Sequence, residues 1–322
     1  MSDILELDGV TKRFGGITAV DGATFGIEAG TITGLIGPNG AGKTTTFNLI
    51  SGFYEPDEGT IYYDGTDLQE LMVPSRTEHL IWGSAAGITG GVIGGAAGIG
   101  VLSLGALGGV GTTITGAGVG AGVYAGQHRL AQTRPDHTNS RPYQLARAGL
   151  VRTFQITREL SEMTARENLM LAPLDQTGEH LLNAWFRRDA VTTEEQAVRR
   201  RADEMLETLE IDHVAEEPAG NLSGGQRKLL ELGRVLMLEP QVILLDEPVA
   251  GVNPTLTQKL TDRIETLRDE GYTFCIVEHD MDVIMSLSDR IIVMNEGQKL
   301  VEGPPDVIRE DERVIDAYLG VA

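Results

Sequence analysis

The sequence predicts an α/β fold in which a parallel sheet carries polar loops along one edge. An apolar run at residues 31–36 leads into a glycine-rich loop, and a second run at residues 242–245 ends in the carboxylates Asp246 and Glu247. A third run, residues 274–277, is followed by an acid and a histidine. Continuous apolar runs of this length are typical of parallel strands that are buried on both faces. Ligands bind beyond the carboxyl ends of such strands, which is where Asp246 would lie.

The loop after the first run is a complete Gly-x-x-x-x-Gly-Lys-Ser/Thr sequence, the Walker A pattern, and residues 45–50 are expected to begin a helix. Glycines let the backbone fold around phosphates and point N–H groups at them, and the helix N-terminus adds positive potential. Lys43 is expected to contact the β- and γ-phosphates, and the Thr44 hydroxyl to ligate Mg²⁺. The nucleotide-binding residues predicted here are Gly37, Pro38, Asn39, Gly40, Ala41, Gly42, Lys43, Thr44 and Thr45.

The two carboxylates after the second run predict catalytic chemistry. Asp246, at the end of the strand, is placed to hold Mg²⁺. Glu247, one residue later, could polarise a water molecule against the γ-phosphate. An apolar run that ends in an acid is common by itself, and the Walker A loop makes the interpretation specific.

A third landmark is Leu222-Ser223-Gly224-Gly225-Gln226, followed by helical apolar spacing over residues 227–238. A serine and two glycines at a helix start form a second cradle for an anion. Leu-Ser-Gly-Gly-Gln is the signature of the ATP-binding cassette (ABC) family, and with this motif the chain resembles that family. The resemblance implies that Ser223, Gly224, Gly225 and Gln226 bind nucleotide.

The remaining motifs of the family are then found by resemblance. Gln155, in the pair Phe154-Gln155, matches the Q-loop and would contact Mg²⁺ and the attacking water. His279, in Glu278-His279-Asp280, matches the H-loop and would touch the γ-phosphate. Phe14 matches the aromatic residue that stacks on adenine, with a core position as the alternative. Ala250-Gly251-Val252-Asn253 occupies the position of the D-loop, and Asn253 departs from the aspartate that commonly ends it.

The resemblance covers residues 3–75 and 141–322 and implies a P-loop NTPase ABC cassette. This fold has a RecA-like core, an antiparallel β lobe and a helical signature lobe. Predicted strands are residues 4–7, 19–27 and 59–63 in the β lobe, and 31–36, 242–245, 274–277 and 290–294 in the core. Residues 159–238 are expected to be mostly helical, with a charged amphipathic segment at 194–209.

The resemblance also implies a mechanism that needs two cassettes, with ATP and Mg²⁺ held between the Walker A loop of one and the Ser223 segment of the other. ATP would join the subunits and hydrolysis would release them. The implied catalytic residues are Glu247, His279, Gln155 and Lys43, and the implied metal ligands are Thr44, Gln155 and Asp246.

Five segments narrow the resemblance to the ATPase subunits of high-affinity branched-chain amino-acid importers: residues 151–155, 163–169, 250–254, 277–281 and 314–320. Such subunits act at the cytoplasmic face of the membrane, on a permease, and depend indirectly on an extracytoplasmic solute-binding protein. The ATPases of urea importers and lipopolysaccharide exporters are similar, so the cargo stays open.

Two other classes of function compete with an importer subunit. Soluble ABC ATPases without a permease usually carry two cassettes or a long coiled coil, whereas this chain has one Walker A loop and no heptads. A membrane-anchored interaction protein that only binds nucleotide would not need Glu247 and His279.

Composition bounds these hypotheses further. The 322 residues allow one large or two ordinary domains, and the net charge of −21 argues against a nucleic-acid partner. The acidity fits either a salt-rich cytoplasm or simply an acidic soluble protein. The single cysteine, Cys275, is predicted to be a buried strand residue. Residues 1–6 lack the features of a signal peptide, so a cytoplasmic protein is expected.

One stretch does not fit the family. Residues 80–127 contain no Asp, Glu, Lys, Arg or His, and 17 of these 48 residues are glycine. We predict an insertion at residues 77–133. Glycines recur every four residues in parts of it, a spacing that lets helices touch closely in lipid. A helical hairpin in or on the membrane, a soluble hairpin and a flexible apolar loop are the three interpretations.

Overall fold

The computed structural model describes residues 3–72, 142–153, 159–174, 176–179, 185 and 188–319. The chain divides into two units, residues 1–69 with 141–322 and residues 70–140, and the account below concerns the first. The predicted insertion at residues 77–133 lies outside the described residues, as do Phe154 and Gln155 of the predicted Q-loop.

Strands and helices alternate along the described chain in the manner of an α/β protein. The strands are β1 (Asp3–Phe14), β2 (Ile17–Glu28), β3 (Ile32–Ile36), β4 (Glu58–Tyr63), β5 (Thr66–Asp67), β6 (Leu150–Arg152), β7 (Val242–Asp246), β8 (Thr273–Val277), β9 (Arg290–Asn295) and β10 (Gln298–Gly303). The helices are α1 (Lys43–Ile50), α2 (Leu68–Leu71), α3 (Pro142–Arg147), α4 (Ala165–Met170), α5 (Arg188–Thr208), α6 (Gly224–Leu236), α7 (Pro254–Asp269), α8 (Met281–Leu287), α9 (Pro305–Glu310) and α10 (Glu312–Leu319).

A six-stranded sheet forms the core, in the order β10-β9-β3-β8-β7-β6. Its strands run parallel except β10, which is antiparallel to β9 at one edge. Every residue of β3, β7 and β8 is buried, as expected of strands covered on both faces. The parallel arrangement brings the loops after β3, β7 and β8 to one edge of the sheet.

A separate four-stranded antiparallel sheet, β2-β1-β4-β5, forms the predicted β lobe. Its long strand β1 ends at Phe14 and turns through two glycines into β2. The strand was predicted to end at residue 7. Polar residues in its second half obscure the alternation of apolar and polar side chains, and its pairing with β2 extends the strand to Phe14.

The helical lobe follows β6 in the chain. Its longest helix, α5, exposes most of its charged residues and buries Ala202 and Leu206. These contact the same apolar core as Leu169 of α4 and Leu229 of α6. The mostly helical character of residues 159–238 is confirmed where the structure describes them.

The four predicted core strands are confirmed within one residue at each end, and β6 and β10 were not predicted. Strand β6 has only three residues, too few to show a period, and β10 alternates weakly because it lies at an edge. Cys275 is buried in β8, and burial raises the pKa of its thiol to about 12. None of the helices in the described ranges has the length and apolarity needed to cross a bilayer.

Candidate nucleotide-binding site

The glycine-rich loop between β3 and α1 is built so that two of its glycines admit no side chain. A Cβ atom on Gly37 would lie 2.2 Å from the Met294 carbonyl oxygen, and one on Gly42 would lie 2.4 Å from that of Ala19. Both residues also have positive φ angles, 152° and 96°. The loop is therefore clamped against the neighbouring backbone, a close approach that only glycine allows and that a phosphate-binding loop requires.

Lys43 is folded over this loop. Its Nζ donates hydrogen bonds to the carbonyl oxygens of Gly37, at 2.6 Å, and Pro38, at 3.1 Å. Burial lowers the pKa of this lysine, and the nearby Glu247 carboxylate opposes the shift. Thr44, the next residue, is exposed at the first turn of α1, where its hydroxyl can reach a ligand.

The two carboxylates after β7 differ in their surroundings. Asp246 is almost completely buried, and its Oδ2 accepts a hydrogen bond from Arg152 Nη2 at 2.7 Å. Glu247 follows with a φ of 49°, in the left-handed region, and its N–H donates to the Val277 carbonyl at 2.8 Å. This bond ties the loop after β7 to the end of β8.

Glu247 and His279 meet at this edge of the sheet. Glu247 Oε1 and His279 Nε2 are 3.0 Å apart, and both side chains reach solvent. A carboxylate so close to an imidazole can be oriented by it while facing a water molecule. The structure thus brings together two predicted catalytic residues that are more than thirty residues apart in the sequence.

Glu278, which precedes His279, connects the loop after β7 to the loop after β8. It is 4% exposed; its Oε1 accepts from the Val249 N–H at 2.8 Å and its Oε2 from the His279 N–H at 3.1 Å. Burial raises the pKa of this carboxyl, and the backbone N–H groups oppose the shift. Sequence reasoning assigned no role to Glu278, because its partner near Glu247 is brought to it only by the pairing of β7 with β8.

The signature segment begins helix α6. Ser223 is its N-cap and forms a capping box with Gln226, in which each side chain accepts from the other's backbone N–H. Gln226 Nε2 also lies 3.3 Å from Nε2 of His213, an exposed residue of a short 3₁₀ helix. The cap fixes the loop, and the other N–H groups of the first helical turn have no partner within the helix.

The two signature glycines serve different physical purposes. A Cβ atom on Gly224 would meet nothing within 4 Å, so open space lies beside it. A Cβ atom on Gly225 would lie 1.4 Å from Cδ2 of Leu256 in α7. Gly224 therefore allows close approach from outside, whereas Gly225 allows two helices to pack.

A pocket of about 570 Å³ opens between the signature segment and the D-loop. Its lining includes Ser223, Gly224 and Arg227 on one side and Gly251 and Asn253 on the other. Asn253 Oδ1 accepts from the Leu256 N–H at 3.0 Å and so caps α7. An asparagine provides this cap as well as the aspartate expected there.

Phe14 is 40% exposed at the end of β1, so its ring is not a core residue. The Tyr54 ring forms a T-shaped pair with it, with ring centroids 5.2 Å apart, and Lys12 Nζ lies 5.7 Å from the centroid of the Phe14 ring. Lys12 is itself buried and bonded to Asp57 and to the Glu55 carbonyl. The sequence analysis missed Tyr54 and Lys12, since neither lies within a motif.

The donors of the predicted metal site suit Mg²⁺, which prefers oxygen ligands and keeps several waters and phosphate oxygens. Asp246 offers a carboxylate and Thr44 a hydroxyl. Over the described residues, no group of three or more His, Cys, Asp or Glu side chains could enclose a metal ion. Such a site would thus rely on the phosphates for most of its ligands.

Comparison with known proteins identifies the family of the chain. The ABC transporter family matches residues 20–85 and 121–250 of the chain. The chain belongs to the ABC transporter family. As an ABC cassette it binds and hydrolyses ATP. A second family, described as branched-chain amino acid ATP-binding cassette transporter, matches residues 298–322.

Relatives of this cassette align over nearly their full length. The chain is 35% identical to the high-affinity branched-chain amino acid transport ATP-binding protein BraF of Pseudomonas aeruginosa, over 99% of this chain and 98% of that protein. It is 32% identical to the probable transport ATP-binding protein LivG of Archaeoglobus fulgidus, over 98% and 95%. An ABC-transporter cassette solved in its ADP conformation is similar with a TM-score of 0.67, at 30% identity over 99% of this chain and all of the other.

Proposed function

We propose that this cassette is the ATP-hydrolysing subunit of a branched-chain amino-acid importer. The observation that carries the proposal is the full-length similarity to BraF, which extends through the C-terminal match at residues 298–322. Other ABC transporters share the nucleotide-binding loops, so the C-terminal match is the part that favours this cargo.

The residues of the site divide the work of hydrolysis. Glu247 takes a proton from the attacking water, and His279, 3.0 Å away, orients this carboxylate and faces the γ-phosphate. Lys43 and the loop N–H groups stabilise the negative charge that develops on the phosphate oxygens. Thr44 and Asp246 hold Mg²⁺, which neutralises the β- and γ-phosphates when bound. Gln155 is assigned to the same metal by resemblance.

ATP is bound between two cassettes in this proposal. The open space beside Gly224 and the first-turn N–H groups of α6, which have no partner within the helix, support it, because a helix start beside an open pocket can hold an anion. The second cassette is a copy of this chain or a paralogue. Phe14 stacks on the adenine base.

The permease and the extracytoplasmic binding protein are the other partners, and the cassette acts at the cytoplasmic face of the membrane. This assignment rests on the family, whose relatives are components of transport systems. The cargo is selected by those partners, so the experiment must measure transport.

The test is uptake of radiolabelled leucine by cells of the source organism that lack this chain. Wild type should restore uptake, and Glu247→Gln, which preserves the shape of the side chain but removes the base, should not. Unchanged leucine uptake in the deletion strain would contradict the proposed cargo, and restoration of urea uptake instead would identify another importer.

We also propose that residues 77–133 are an insertion into the cassette. The ABC transporter family matches the chain on either side of residues 86–120 and leaves these unmatched, which supports the proposal. The lack of charge over residues 80–127 favours contact with lipid.

A further inference from the structure

Arg152, at the end of β6, has an unusually complete set of partners at the predicted metal site. Its Nη2 donates to Asp246 Oδ2 at 2.7 Å, and its Nη1 donates to Asn48 Oδ1 at 2.6 Å and to Ser51 Oγ at 3.1 Å. The guanidinium carbon lies 5.5 Å from the ring centroid of Phe47 and 5.7 Å from that of Phe53.

The ion pair with Asp246 is shielded from solvent. The Arg152 side chain is 11% exposed and that of Asp246 is 3% exposed. A buried carboxylate without a nearby cation is costly, and this arginine supplies the compensating charge next to Asp246. The pair uses Oδ2, and within the described residues Oδ1 of Asp246 forms no hydrogen bond.

Three elements of the site meet at this one side chain. Asn48 and Ser51 lie on and just after α1, the helix that follows the Walker A loop, and Asp246 ends β7. Arg152 itself ends β6, three residues before the predicted Q-loop residue Gln155. A planar guanidinium can reach all three partners at once, which a lysine cannot.

We propose that Arg152 is a positioning residue of the nucleotide site. Its guanidinium neutralises and orients Asp246 when no metal is bound, leaves Oδ1 for Mg²⁺ or its water shell, and ties this carboxylate to the strand that leads to Gln155. The inference rests on the magnesium site proposed above.

The physical consequence is a specific dependence on Mg²⁺. Without Arg152, Asp246 would present an uncompensated charge to the phosphates of metal-free ATP, and the two would repel each other. With Mg²⁺ present, the metal supplies the missing positive charge. Removal of Arg152 should therefore weaken the binding of metal-free ATP far more than that of Mg·ATP.

The test measures binding of a fluorescent, non-hydrolysable ATP analogue in EDTA and in Mg²⁺. In Arg152→Met, the affinity in EDTA should fall by about tenfold or more, with a much smaller change in Mg²⁺. Arg152→Lys keeps the charge and should retain the wild-type ratio of the two affinities. The matched control is Arg268→Met, because Arg268 is also ion-paired but contacts Asp289 at the amino end of the sheet.

A double variant protects the test against misfolding of Arg152→Met. Arg152→Met/Asp246→Asn removes both charges and should return the affinity in EDTA towards that of wild type. If Arg152→Met weakens binding equally in EDTA and Mg²⁺, or if the double variant binds in EDTA no more tightly than Arg152→Met, the role of Arg152 is overturned. If Mg²⁺ leaves the affinities of wild type and of every variant unchanged, the proposed magnesium site itself is wrong.

Discussion

At the scale of single residues, the site depends on side chains that hold the catalytic ones in place. Glu247 sits at a φ of 49°, a conformation that costs a non-glycine residue energy and needs support from its surroundings. The bond from its N–H to Val277 and the two bonds accepted by Glu278 provide that support. Glu278 thereby links the loop that carries Glu247 to His279.

Replacement of Glu278 should show that it positions catalytic residues and does not contribute to ATP binding. Glu278→Gln keeps the volume but faces an amide donor towards a backbone N–H, so one of the two bonds is lost. We expect kcat to fall by about tenfold while the KM for ATP changes little, since an interaction worth about 1.4 kcal/mol in the transition state is removed. Steady-state kinetics of wild type and variant test this, with the exposed Glu204→Gln as the control. An equal loss in KM would contradict a positioning role.

The same carboxyl predicts a pH dependence of stability. Its pKa in the folded protein is raised above its ordinary value of 4.5, so folding favours the protonated form. The stabilising contribution of this group is present below that ordinary value and is lost as the pH rises through the folded pKa. Thermal melts from pH 4 upwards should show wild type losing stability relative to Glu278→Gln as the pH rises. A difference in stability between the two proteins that does not change with pH would contradict the raised pKa of Glu278.

At the scale of elements, the surroundings of the signature glycines Gly224 and Gly225 predict different effects of substitution. Gly225→Ala should destabilise the fold by about 1–3 kcal/mol, because the new Cβ overlaps Leu256 of α7. Gly224→Ala should fold as well as wild type and lose ATP turnover, since its Cβ enters the open space where a phosphate would approach.

Thermal melts and ATPase assays of the two variants distinguish these effects. The double variant Gly225→Ala/Leu256→Ala should recover part of the stability lost by Gly225→Ala, because the overlapping side chain is shortened. If both glycine variants are equally stable, the packing argument is wrong.

At the scale of the whole molecule, nucleotide should control assembly. Glu247→Gln with Mg·ATP should elute from a sizing column as a dimer, because ATP is bound but not hydrolysed. Ser223→Arg in that background should abolish the shift, since the bulky cation would occupy the nucleotide cradle of α6. A dimer that ignores both ATP and Ser223→Arg would contradict the two-cassette arrangement.

The predicted insertion is tested on the whole chain as well. A variant with residues 77–133 replaced by a short Gly/Ser linker should fold and bind ATP, because this segment lies outside every nucleotide motif. Expressed without a permease, it should leave the membrane fraction in a high-salt wash more readily than wild type. Wholly soluble wild type would contradict the lipid interpretation, and loss of ATP binding would show that the segment belongs to the fold.

The sequence by itself determined the glycine-rich and signature segments, four of the six core strands and the family. The Walker A and signature residues are each contiguous, and residues 37–44 and 246–247 follow strands with a clear apolar pattern. The tertiary structure alone decided which side chains support them. Arg152 meets Asp246 across 94 residues of chain, and Glu278 meets Val249 across 29. The overlap that requires Gly225 comes from a different helix. Such contacts follow from the order of strands in the sheet and from helix packing, which leave no local pattern in the sequence.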